Sequence, residues 1–266
     1  MGLRTFLLMI ALAILASPQA RAVEEEQEQA ARWASIQQSV FGARKVEDGS
    51  AWLSLEAPLR ALDAALVPIS IESKKTAGLK GLYLIIDENP APLAGHFSFG
   101  PEADPSLLKL RVRVDAYTYI HAVAETTDGH LYAVERFVKA AGGCSAPAGA
   151  DEQQALADLG HIKLRVTDGF SPHTALKAQL MIRHPNFNGM QMNQVTRLYT
   201  PARFIKSIDV SFDDTAVLHV DSDISMSTDP VLDFGFVPPH KGVLKVVVRD
   251  TSEATFTQSI GVPAAG

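Results

Sequence analysis

The run Ala140-Ala141-Gly142-Gly143-Cys144-Ser145-Ala146-Pro147-Ala148-Gly149-Ala150 contains no large apolar side chain. A segment of this composition is expected to be exposed and flexible, because it has nothing with which to pack a core. It divides the chain into two strand-rich parts. In the first, Ala51–Leu55, Leu66–Glu72 and Gly81–Ile86 read as strands, and Glu88-Asn89-Pro90 closes the third with turn residues. From Leu108 to Val123 the residues alternate. Leu108, Leu110, Val112 and Val114 point to a core, while Lys109, Arg111, Arg113 and Asp115 point to water. That period predicts a half-buried antiparallel strand pair. Asp128-Gly129 predicts a tight hairpin between Ile120–Glu125 and Leu131–Val138.

In the second part, strands are predicted over Ile162–Val166, Ala175–Met181, Phe204–Phe212, Thr215–Val220, Val231–Val237, Leu244–Asp250 and Glu253–Ile260. Their short length and regular spacing are those of a β-sandwich. Asp151 followed by Gln154 resembles a helix-starting pair and predicts a short helix to Leu159. Two sandwiches joined by the glycine-bearing segment is the expected architecture. A short helix over Ala30–Phe41 precedes them, with Trp33, Ile36, Gln37 and Val40 on one face, Gly42 as its cap and a frayed acidic leader over 24–29.

The N-terminus predicts the compartment. Arg4, the apolar run Phe6–Leu15 and Ala20-Arg21-Ala22 form a removable secretory signal over residues 1–22. The apolar run is too short to span a bilayer, and no second stretch is long enough. In a bacterium the mature protein would be periplasmic. The formal charge of −6 argues against nucleic acid or an anionic membrane as partner.

An exported chain with one cysteine forms no internal disulfide. Two glycines precede Cys144 and small residues follow it, which predicts an exposed, usable thiol. Lys139 is the nearest cation in sequence, and no histidine lies within ten residues to activate the sulfur. That is poor equipment for a thiol enzyme; it suits a carrier whose cargo is attached and removed by partners. The scattered histidines include no metal-ligand spacing, and Asp221, Asp223, Asp229 and Asp233 lack the spacing of a calcium loop. No metal and no cofactor is expected, other than a covalent adduct on Cys144.

Several pieces resemble a known family. Glu88 to Leu93, Val112 to Ala124, Leu131-Tyr132 and Val138-Lys139 up to Gly142-Gly143-Cys144 look like the SoxY subunit of the SoxYZ carrier of thiosulfate oxidation. His184-Pro185 with Gly189, Pro201 to Ile205 and Ser225 to Phe234 look like SoxZ. The order resembles the fused SoxYZ-like carriers associated with quinoprotein dehydrogenases. The resemblance implies an all-β, non-enzymatic protein of two immunoglobulin-like sandwiches: a SoxY-like domain over 23–141, a cysteine-bearing arm and linker over 142–160, and a SoxZ-like domain over 161–266. It implies that Cys144 holds a thiosulfonate or persulfide adduct on a swinging arm hinged at Gly142 and Gly143. The implied partners are a Sox-like cytochrome, a SoxB-like hydrolase or a quinoprotein dehydrogenase. An accessory module for such a dehydrogenase is the alternative reading. The family's arm ends the chain as Gly-Gly-Cys-Gly-Gly, whereas here Cys144 continues into a whole domain. An intact loop would enter a partner as a double strand, unless it is nicked.

Overall fold

The computed structural model describes residues 18–146, 156–167, 169, 173–193 and 196–262. Among the described residues one long helix, α1, runs over Pro18–Phe41. The acidic segment 24–29 is therefore helical and not frayed: Glu, Gln and Ala are good helix formers, and a proline is tolerated at a first helical position. Most of the leader assigned to residues 1–22 lies outside the described residues, and its expected cleavage site falls within the first turns of α1. Gly42 ends the helix at a φ of 65°, its N–H bonding to Gln38 O at 3.1 Å. The expected face does pack: Trp33 stacks on His121 with ring centroids 3.7 Å apart, and Ile36 and Phe41 are buried with Ile85, Val123 and Leu131.

The first part of the chain forms β1 (Val46–Asp48), β2 (Leu53–Glu56), β3 (Val67–Ser73), β4 (Leu79–Ile86), β5 (Leu93–Phe99), β6 (Ala103–Val112), β7 (Thr118–Thr126) and β8 (Leu131–Val138). The second forms β9 (Ile162–Val166), β10 (Leu176–Ile182), β11 (Ile205–Phe212), β12 (Thr215–Ser222), β13 (Val231–Phe236), β14 (Val243–Asp250) and β15 (Thr255–Gly261). Every predicted strand of the second part is present within a few residues of its expected ends. The predicted helix to Leu159 lies mostly outside the described residues, as do residues 147–150 of the small-residue run.

The protein is all-β with two immunoglobulin-like sandwich units, but the glycine-bearing segment is not all that joins them. One nine-stranded sheet runs β1-β8-β7-β4-β5-β12-β11-β14-β15, and one six-stranded sheet runs β2-β3-β6-β13-β10-β9. Each sheet therefore crosses from one unit into the other, through β5–β12 and through β6–β13. At the seam Phe97 lies opposite Val220 and Leu108 opposite Phe234, and all four are buried. Core side chains from both units form one continuous cluster.

One prediction is corrected. The alternating stretch from Leu108 to Val123 is not a strand pair in one sheet. β6 belongs to the six-stranded sheet and β7 to the nine-stranded one, and residues 113–117 cross between them. The inward set Leu108, Leu110, Val112 and Val114 is buried as expected. Arg113, expected in water, is only 1% exposed, because the crossing carries it into the seam.

Candidate functional site

Beyond β8 the chain does not leave the body of the protein. Lys139 N–H bonds Leu59 O at 2.8 Å, so the strand's continuation lies along the 57–66 segment. Gly142 N–H then bonds Asp115 O at 2.7 Å, and Gly143 N–H bonds Val114 O at 3.0 Å. Gly142 holds a φ of 76°, a conformation that favours glycine. Gly143 is required for a different reason. A Cβ there would stand 2.1 Å from Ala64 O and 2.6 Å from Val114 O. The two glycines expected to act as a hinge thus let this stretch lie against two neighbouring segments.

Cys144 is fully buried, which corrects the expectation of an exposed thiol. Its carbonyl accepts a 2.6 Å hydrogen bond from Asn188 Nδ2, across the seam. Asn188 is itself held: its N–H donates to Gln191 Oε1 at 3.1 Å, and its Oδ1 accepts from Met190 N–H at 3.0 Å. Burial pushes the thiol up to about 12, Asp115 adds to the rise, and Arg113 opposes it. In this position the sulfur stays protonated at neutral pH and is a poor nucleophile. Ser145 Oγ donates to Gly142 O at 3.3 Å and closes the turn.

The polar groups around this arm come from both units. Asn89, predicted only as a turn residue, donates from Nδ2 to Arg113 O and to Ser225 Oγ, each at 2.8 Å, while its Oδ1 accepts from Asp115 N–H at 2.9 Å. Asn186 Nδ2 donates to Ser227 O at 2.7 Å, and its Oδ1 accepts from Ile205 N–H at 3.0 Å. Arg113 donates from Nε to Met226 O, and from Nη2 to Pro185 O, Asn186 O and Thr228 Oγ1. The Asn-Pro and His-Pro dipeptides were the available signals for Asn89 and Asn186; nothing in the local pattern marks Arg113 or Asn188. The nearest described histidine to the arm in sequence remains His130, on another turn of the fold, and no hydrogen bond to the thiol is present among the described residues.

A tandem of two β-sandwich domains, with one thiol held at their seam by the end of the first, defines the class of protein. The sequence matches the family of the sulfur oxidation protein SoxY over residues 37–144 and that of the sulphur oxidation protein SoxZ over residues 167–261. The chain belongs with these families as a fused SoxYZ-like protein, SoxY first and SoxZ second. The SoxY match ends on Cys144. Among solved structures, the chain is similar to the sulfur carrier protein SoxY from Chlorobium limicola f thiosulfatophilum, with 23% identity and a TM-score of 0.39, over 44% of this chain and 99% of that one. A beta-glycosidase from Bacteroides vulgatus is similar at 10% identity and a TM-score of 0.25, over 79% of this chain and 24% of that one. No curated protein matches the chain by sequence.

Proposed function

We propose that the chain is a non-enzymatic carrier of sulfur oxidation that works in the periplasm and holds its cargo on Cys144. The observation that carries this reading is the position of the lone thiol: it ends the SoxY domain, on a turn that reaches across to the SoxZ domain. Three hydrogen bonds hold the arm from Gly142 to Cys144. At about 1 kcal/mol each, they permit a released minority state of the kind that a ligand or partner selects. Docked, the thiol is shielded. Released, it returns to the ordinary range near ~8.5 and can react.

Loading with thiosulfate forms an S–S bond. Cys–SH and thiosulfate give Cys–S–S–SO3−, one proton and two electrons. The electrons leave to a partner redox protein of the cytochrome class. No base is hydrogen-bonded to the sulfur among the described residues, and the Asp115 charge raises the thiol's pKa, so proton removal and later hydrolysis fall to partners. The segments that hold the arm carry exposed apolar side chains: Leu59 and Leu62 on one, Tyr117 beside Asp115 on another. Leu198 and Tyr199 project from the segment that bonds back to Gln191. They offer a partner a surface around the point of release.

The test is intact-mass analysis of the protein isolated from cells given thiosulfate. A sulfur adduct confined to Cys144 is expected, absent in Cys144→Ser. A thiol that stays unmodified in every growth condition, or partner function retained by Cys144→Ser, would overturn the proposal.

A further inference from the structure

Arg113 carries a positive charge that makes no ion pair among the described residues, although the charge of Asp63 reaches it. Its side chain is 1% exposed, and its four hydrogen-bond acceptors are three backbone carbonyls and a threonine hydroxyl, all uncharged. Its Nη1 makes no hydrogen bond among the described residues. A buried, uncompensated charge is costly, and an apolar side chain of similar volume would often serve the fold better. Arg113 lines a cavity of about 800 Å³ at the seam between the two units.

The rest of that cavity is lined by charges of both signs. Arg111, Lys163 and Arg183 also line it. Three carboxylates, Asp63, Asp158 and Asp229, line it too, so the lining has a formal excess of one positive charge. Asp229 pairs with Arg183 at 2.5 Å, Asp158 lies 3.9 Å from His161, and Asp63 accepts the N–H of Ala65 at 2.8 Å. Arg111 and Lys163 make no ion pair among the described residues. Arg111, Arg113 and Lys163 thus converge on one cavity without a direct ion pair among the described residues, one of them buried and held in orientation by its own hydrogen bonds.

This cavity adjoins the arm. Gly143 is bonded to Val114, the residue after Arg113. The segment Pro185–Asn188 accepts from Arg113 through Pro185 O and Asn186 O, and donates to Cys144 O through Asn188. The guanidinium and the thiol also feel each other's charge.

We infer that the seam cavity is an oxyanion site for sulfate- or sulfonate-type groups, with Arg113 as its buried anchor and Arg111 and Lys163 at its rim. The anion comes either from a free sulfur oxyanion or from the terminus of an adduct on Cys144; the second source rests on the carrier reading, the first does not. A planar guanidinium presents donors that match such oxygens.

Calorimetric titration of inorganic sulfate into the full chain at low ionic strength tests this. Saturable binding is expected, equal in wild type and Cys144→Ser. The exposed double substitution Arg111→Gln/Lys163→Gln should weaken it by roughly tenfold or more, two nearby charges being lost, with an unchanged melting temperature. No binding at millimolar sulfate, or binding indifferent to that double substitution, would overturn the site. Protein loaded on Cys144 with tetrathionate, which transfers S–SO3− and releases thiosulfate, separates the sources. Loss of sulfate binding on loading places the adduct's terminus in the cavity, and retained binding assigns the site to a free oxyanion. If sulfate binds but no adduct forms in cells, the carrier reading fails alone; an adduct without sulfate binding leaves the carrier and removes the site.

Discussion

At the scale of the residue, Gly143 decides whether Cys144 is shielded. A methyl group there would collide with Ala64 O and Val114 O, both backbone atoms with little freedom to yield. Gly143→Ala is expected to expel the arm while leaving the sandwiches folded. Its thiol would then titrate near ~8.5 instead of about 12. Iodoacetamide modification at pH 7.5, followed by intact mass, should run on the order of a hundredfold faster than in wild type; equal rates would refute the docked arrangement. The same linkage fixes a pH dependence. Between the released and docked values the docked thiol keeps a proton that the released one has lost. Docking is therefore at full strength below about 8.5 and weakens as pH rises toward 12. Wild-type modification should accelerate across that window and approach the Gly143→Ala rate. The cysteine itself was legible in the sequence, being alone and preceded by two glycines. Its burial was not, because the groups that hold its segment, on Ala64, Val114 and Asn188, are all distant along the chain.

At the scale of the element, the crossing from β6 to β7 is where reading and structure part. Alternation predicts which residues of a strand face a core, and Leu108, Leu110 and Val112 obey it. It carries no information on which sheet the next strand joins, so β6 and β7 looked like one pair. β5 escaped prediction because Gly95, His96 and Ser98 interrupt its apolar residues. The seam itself is a tertiary event: nothing local announces that β5 will pair with β12. Asn89 binds that crossing to the second unit through Arg113 O, Ser225 Oγ and Asp115 N–H. Asn89→Ala removes all three contacts from a buried site and should cost roughly 2–4 kcal/mol, read as a lowered melting temperature. Because Asp115 O also holds Gly142, the same variant should modify faster at Cys144. A wild-type melting temperature would show that the crossing is held by packing alone.

At the scale of the whole molecule, the two units behave as one body if the seam outweighs the tether. Two ladders cross it, Gly95–Phe99 with Leu218–Ser222 and Ala103–Lys109 with Asp233–Phe236. Phe97, Val220, Leu108 and Phe234 are buried there, each contributing on the order of 1.5–3 kcal/mol relative to exposure. The cross-seam bonds of Asn89, Arg113 and Asn188 add to this. Against it stands the loss of free motion on association, from about 4 to more than 15 kcal/mol at 1 M. Holding the halves together at micromolar concentration takes about 8 kcal/mol beyond that cost, which the remaining ladder bonds and buried side chains of the two shared sheets are expected to supply even with the chain cut between residues 147 and 155. An engineered protease site in that interval tests this. The cut protein is expected to elute at the size of the intact chain and to unfold in one transition, now with a melting temperature that rises with protein concentration, since unfolding has become a dissociation. Separation into two folded pieces would mean that the covalent link, and not the shared sheets, holds the units in register. A cut protein that stays together would also free the end of the arm at Cys144 without dismantling the site that shields it. A nicked molecule would then present a single strand to its partners, where the intact one presents a loop.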